Sequence, residues 1–297
     1  MSKRILAIIA ASGATTIYGI NHTVAKCVMP TYVKPFGFIL IRVIGAAMLF
    51  WIISPFGPKQ RIEKKDWLRL ILCAILGMVI NMLAFFKGLQ LSTPINSSVL
   101  ITITPIIVVV LSAFFLGERI TWNKGVGIFL GFVGALTLIL FGAEIRGDAP
   151  NIPLGNTLFI VNSISYGAYL IVVKKLIEKY HPFVLMRWLF TLGIIFNLPI
   201  TLPDFLEIQW FSMPVWVYGS ILFVVIGTTL LTYLFNVFAL TQLKASTVGA
   251  FVYLQPLFGI IFALFSGMDS LSPIKILATC LVLLGVYLAS KKPKPSP

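Results

Sequence analysis

The second half of this chain repeats the first, and both halves consist of apolar stretches long enough to cross a bilayer. Ten such stretches run nearly end to end, at about 5–28, 35–54, 68–89, 95–116, 123–142, 154–174, 183–202, 214–237, 245–266 and 273–290. Pro105 matches Pro256, Glu118 matches Asp269 and Gly134 matches Gly285, each at an offset of 151 residues. Earlier pairs drift by a few residues, as insertions would cause: Tyr18-Gly19 with Tyr166-Gly167, Lys26 with Lys174, Pro35 with Pro182, Arg42 with Arg187. Five crossings per half is an odd number, so the two copies lie in the membrane in opposite senses. The predicted fold class is all-α transmembrane: ten helices in two inverted five-helix repeats. The expected units are 1–147, 148–290 and a tail at 291–297, with the linker around 147–153 crossing the outer face.

Composition agrees. The 297 residues are 59% hydrophobic and 11% charged, against roughly 25% charged in a soluble domain. The net charge of +14 does not point to nucleic acid, because the positives fall where cytoplasmic loops are expected. With the N-terminus inside, 16 basic residues lie on the cytoplasmic side, including the clusters at 59–69 and 174–179. Five lie outside: Lys26, Lys34, Lys87, Arg146 and Lys275. Arg42 and Arg187 lie inside helices. The expectation is a multi-pass inner-membrane protein with both termini cytoplasmic. The first stretch is too long for a signal peptide and contains Asn21, His22 and Lys26, so it reads as a retained helix. Cys27, Cys73 and Cys280 have no paired spacing and read as reduced packing residues.

Inverted repeats are a signature of secondary transporters, whose substrate site lies where the copies meet. The run from Pro105 through Leu116-Gly117-Glu118-Arg119 into the glycine-rich helix ending at Gly134 resembles the drug/metabolite transporter superfamily, in particular its ten-helix EamA-type members. The resemblance covers nearly the whole chain. It implies a carrier of small solutes such as amino acids, metabolites or drugs, with helices three, four, eight and nine along the substrate path. Met268-Asp269 departs from the pattern in the second copy, which implies a weaker role there than for Glu118.

Polar residues at membrane depth carry the site reading, since leaving them unpaired in hydrocarbon costs several kcal/mol. The candidate substrate-binding set is Asn21, His22, Asn81, Phe85, Thr102, Tyr166, Tyr169, Thr232, Tyr233, Asn236, Tyr253 and Gln255. Each lines a cavity or makes an interhelical hydrogen bond. Pro105 and Pro256 lie inside crossings four and nine, where each frees a carbonyl four residues back, at Ile101 and Val252. They are fixed kinks or hinges. Gly125, Gly127, Gly131 and Gly134 form a small-residue stripe read as helix packing within the protomer. Arg42 or Lys87 attracts a carboxylate or phosphate, or snorkels to the outer headgroups, the reading favoured for Lys87.

All nine acids fall in loops or at helix ends. Proton or sodium coupling usually needs an intramembrane carboxylate, so facilitated diffusion or exchange is expected, most simply as export of amino acids or amphipathic metabolites. No GxxxxGK[ST] loop is present for ATP hydrolysis. Two histidines, His22 and His181, support neither a metal site nor a Ser-His-Asp set. The sequence therefore assigns no catalytic residue, no metal ligand and no cofactor. The partners are a small-molecule substrate and the lipid bilayer, and the sequence leaves the oligomeric state open, a monomer included. The alternatives are a membrane-embedded lipid-modifying enzyme, which would need an interfacial carboxylate or histidine cluster, and a non-transporting scaffold.

Overall fold

The computed structural model describes residues 2–116, 120–142, 147–243, 251 and 254–290. Among these the chain is helical, with no strand. Eight helices are long and apolar enough to cross a membrane: α1 (Lys3–Val28), α2 (Pro35–Phe56), α3 (Lys64–Leu91), α4 (Pro94–Phe115), α5 (Trp122–Phe141), α6 (Ile152–Ile177), α7 (Pro182–Leu206) and α8 (Val215–Asn236). Two shorter apolar helices follow, α9 (Gln255–Phe265) and α10 (Pro273–Leu288). The stretch expected to open the ninth crossing lies largely outside the described residues. Large apolar side chains, among them Phe114, Phe129, Phe132, Phe141 and Phe265, point outward from the bundle. Buried Asn, Ser and Thr side chains lie inside. That distribution suits a hydrocarbon solvent.

The breaks follow proline chemistry. Pro35, Pro94, Pro182 and Pro273 each stand at the first position of a helix, where a missing N–H leaves nothing unsatisfied. Between α3 and α4 only Ser92 and Thr93 intervene, and Thr93 Oγ1 accepts from the Asn96 amide at 3.3 Å to cap the new helix.

Helix α1 packs against α8 and α9, and α6 packs against α3 and α4. Helix α2 pairs with α7, α4 with α9, and α5 with α10. The glycine stripe explains the last pair. A Cβ on Gly285 would come within 2.6 Å of the Gly131 nitrogen and 2.7 Å of the Gly127 carbonyl. The backbones of α5 and α10 therefore touch, and the stripe is packing inside the protomer as expected, apart from Gly125, which faces open space.

Three crossings depart from regular α geometry. Helix α3 carries a π-helical segment at Ile75–Ile80 and α8 one at Phe223–Leu231. Helix α4 is interrupted between Pro94–Ile101 and Thr104–Leu116, next to Pro105. The Ile101 carbonyl, freed by that proline, accepts from Thr104 Oγ1 at 2.7 Å. The Leu76 carbonyl in the α3 π segment accepts from Ser165 Oγ of α6 at 2.7 Å. Neighbouring hydroxyls thus bond backbone carbonyls at two of these irregularities, at Ile101 in place of a lost amide and at Leu76 in addition to the Asn81 amide.

Candidate functional site

Tyr18, His22 and Lys26 are spaced four residues apart on α1 and so form one stripe along it. His22, in the middle, is the hub of a buried polar cluster. Its Nδ1 lies 2.7 Å from Ser97 Oγ on α4, and Gln255 Nε2 of α9 approaches its Nε2 at 3.4 Å. With the Gln255 amide donating to Nε2, the consistent neutral tautomer carries its proton on Nδ1 and donates to Ser97. The edge of Phe85 on α3 closes the fourth side, 5.5 Å between ring centroids. Three residues expected in the site, His22, Phe85 and Gln255, are thus brought together, and Ser97 is a member that sequence reasoning passed over as an ordinary helix hydroxyl.

Close helix contact builds this cluster. A Cβ on Gly19 would meet the Gln255 carbonyl at 2.8 Å and the Gly259 nitrogen at 2.9 Å, and Gly259 is itself pressed against Ser98. Asn21 Oδ1, Ser98 Oγ, Ser163 Oγ and Thr229 Oγ1 are buried on α1, α4, α6 and α8 without a hydrogen-bond partner, as are Thr23 Oγ1, Asn96 Oδ1 and Asn197 Oδ1.

The other expected residues divide. Asn81 and Asn162 bond each other's carbonyls across α3 and α6, at 3.3 and 2.8 Å, directly after the α3 π segment. Tyr169 is buried and stacks on Tyr166 with centroids 5.7 Å apart, its ring seated on Gly77. Tyr166 is itself exposed, with 41% of its surface open. Thr102 and Thr232 are buried and donate to their own helix, to the Ser98 and Thr228 carbonyls, both at 2.8 Å. Asn236 is half-buried. Tyr253 and the side chain of Tyr233 lie outside the described residues, as does Glu118. An open cleft of 220 Å³ lies elsewhere, at the rim between Tyr32, Lys34, Asp204 and Glu207. It is solvent-facing and remote from the polar cluster.

Two tightly bonded lysines seal one end of the bundle. Lys26 Nζ, 2% exposed in the last turn of α1, reaches the carbonyls of Leu89 (2.8 Å), Gln90 (3.0 Å), Ser92 (2.8 Å) and Asp148 (2.7 Å). Lys275 Nζ, at the start of α10, donates to Asp269 Oδ1 at 2.9 Å with both side chains fully buried. Asp269 Oδ2 accepts from the Ile95 amide at 3.1 Å, in the first turn of α4. Asp269 is therefore fully engaged, whereas the family pattern implied a weaker role at this position. Asn156 of α6 ties Ser92 and Asn96 to the same end, accepting from them at 2.6 and 3.3 Å. At the opposite end Lys179 bonds Asp66 at 2.7 Å and Glu63 at 2.6 Å, and these hydrogen bonds, Asp66 first, hold its ammonium above the usual lysine range.

The arrangement is a bundle of apolar crossings around a polar interior, and comparison with known proteins identifies it. The model of the EamA-like transporter family matches the chain twice, over residues 5–140 and 153–291. The chain belongs to the EamA-like transporter family. It is a multi-pass membrane transporter of the drug/metabolite transporter type, and no enzymatic activity is indicated. An uncharacterized transporter of Archaeoglobus fulgidus is 29% identical over 277 residues, covering 93% of this chain and 96% of that one. The uncharacterized transporter YyaM of Bacillus subtilis is 24% identical over 249 residues, 83% and 80% of the two chains. A probable terminal-alkyne amino-acid exporter of Streptantibioticus cattleyicolor is 24% identical over 258 residues, 86% and 84%. One crystal structure superimposes with a TM-score of 0.62 at 15% identity, covering 96% of this chain and 95% of that one, and shares the fold.

Proposed function

We propose that this EamA-family chain moves a small metabolite, such as an amino acid, across the inner membrane by alternating access around the chamber between α1, α3, α4, α6, α8 and α9. The observation that carries this reading is the buried polar junction of His22, Ser97 and Gln255 on α1, α4 and α9, together with buried polar atoms on α1, α4, α6 and α8 that have no hydrogen-bond partner. An unsatisfied buried polar group costs about 1–3 kcal/mol. A scaffold has no reason to keep several, whereas a chamber that strips water from a passing solute needs them.

Ten crossings in two inverted repeats fit the contacts. Packing partners exchange when each helix is replaced by its counterpart five places on: α1 with α8 becomes α6 with α3, and α1 with α9 becomes α6 with α4. The π segments of α3 and α8 fall at matching positions of the two copies. The end of α1 and the starts of α4, α6 and α10 meet at one end, through Lys26, Ile95, Asn156 and Asp269. At the other end the loop before α3 meets the loop before α7, where Tyr180 Oη donates to Asp66 at 2.7 Å and the His181 amide donates to Gln60 at 2.7 Å. Both termini then lie on the cytoplasmic side. Pro105 and Pro256 are the hinges about which α4 and α9 bend. With no acid inside a crossing, transport is facilitative or by exchange, and net export follows the solute gradient. The amino-acid export named for the Streptantibioticus relative supports the substrate class.

Purified protein in liposomes, preloaded with a mixture of amino acids and challenged with labelled ones, should show counterflow. Replacing Gln255 with alanine should lower that flux about tenfold or more at unchanged expression, since it removes the amide that orients His22. Unchanged flux would remove the His22 cluster from the path.

A further inference from the structure

The two arginines matched by the repeat, Arg42 and Arg187, are treated differently by the fold. Arg187 Nη1 donates to Ser54 Oγ at 2.8 Å, and its guanidinium lies over Trp51 and Trp188 at 5.0 and 5.8 Å, although its Nε, like that of Arg42, is buried without a hydrogen-bond partner. Arg42 is the eighth residue of α2, about 10 Å along the helix from its start. Four residues earlier Phe38 meets Phe86 of α3, centroids 5.4 Å apart. Three residues later Gly45 lies against Val225 of α8. Arg42 stands between these contacts and so faces inward, between α3 and α8.

Its Nε is buried with no hydrogen-bond partner, and among the described residues no carboxylate bonds its guanidinium. Tyr18 of the α1 stripe, one turn from His22, lies within electrostatic reach of Arg42. A guanidinium in this position carries a desolvation cost of several kcal/mol that no carboxylate among the described residues offsets. Its planar fork of N–H donors matches a carboxylate. The other cations of the α1 stripe and its surroundings are committed: Lys26 to backbone carbonyls, and Lys87 to Gln90 Oε1 at 2.7 Å. A single guanidinium with no carboxylate partner among the described residues suits a single negative charge rather than a phosphate dianion.

We propose that Arg42 binds the carboxylate of the transported solute, so that the substrates are small monocarboxylates or amino acids. This rests on the carrier reading above. The test is thermal stabilisation of the detergent-solubilised protein by the proteinogenic amino acids and by short-chain monocarboxylates, each beside its carboxamide. At least one carboxylate should stabilise the wild type, and its carboxamide should need about tenfold more to do the same. Arg42→Gln should abolish that preference and Arg42→Lys should retain part of it. Equal stabilisation by acid and amide, stabilisation by no carboxylate, or a preference that survives Arg42→Gln would overturn the assignment. The acid–amide comparison needs only the wild type, so it decides even if the variant does not fold. Counterflow separates the two readings. Flux of neutral or cationic solutes alone, undiminished in Arg42→Gln, refutes the anion site and leaves the carrier standing. Absence of flux for every solute removes both.

Discussion

Lys26→Ala should lower the stability of the detergent-solubilised protein by about 4 kcal/mol, and Lys26→Met by somewhat less. The ammonium holds four carbonyls from three separate segments: the end of α3, the α3–α4 turn and the linker at Asp148. Each carbonyl left unsatisfied costs about 1–3 kcal/mol, partly offset because an ammonium no longer has to be buried. Methionine restores the packed volume but none of the bonds, so the gap between the two variants isolates the cavity contribution. The readout is the apparent melting temperature, which should fall by about 10 °C for the alanine variant. A methionine variant that melts with the wild type would mean that the carbonyl bonds contribute nothing net.

The second large effect is expected at Asp269. Asp269→Asn should destabilise by about 3–5 kcal/mol, because it leaves the fully buried Lys275 without its counter-charge. Asparagine can still accept from the Ile95 amide, so the loss measures the charge rather than the cap. The double variant Asp269→Asn with Lys275→Met should recover most of the loss, since removing both charges of a buried pair is often close to neutral. If the double variant is as unstable as the sum of the singles, the two residues are not coupled. Both lysines seal the same end of the bundle, so both variants should also loosen that end in hydrogen exchange.

What could be read from the residues alone follows from the physics of each signal. Hydropathy and proline placement located the eight long helices to within a few residues, because a bilayer demands long apolar runs and proline is tolerated at helix starts. The glycine stripe read correctly as a seam because small residues have few other uses inside a bundle. The roles of Lys26 and Lys275 were missed. Counting charges places both on the outer side, at helix ends, and nothing local distinguishes a lysine facing the headgroups from one folded onto distant partners. The π segments at Ile75–Ile80 and Phe223–Leu231 leave no compositional trace, since they are set by what packs beside them. His22, Phe85 and Gln255 stood out by polarity or bulk at membrane depth, but their partner Ser97 did not, because a helical serine usually bonds its own backbone. Asn81 was flagged by the same polarity, and only the fold supplies its reciprocal partner Asn162.

The central claim is that one five-helix unit lies upside down against its copy, enclosing a chamber that opens to either side. Accessibility mapping of tags in intact cells tests it most directly. Tags at the amino and carboxyl ends should both be shielded from an impermeant reagent, and a tag inserted between Gly147 and Asn151 should be labelled. Labelling at just one of the two ends, or shielding of all three positions, would contradict the account.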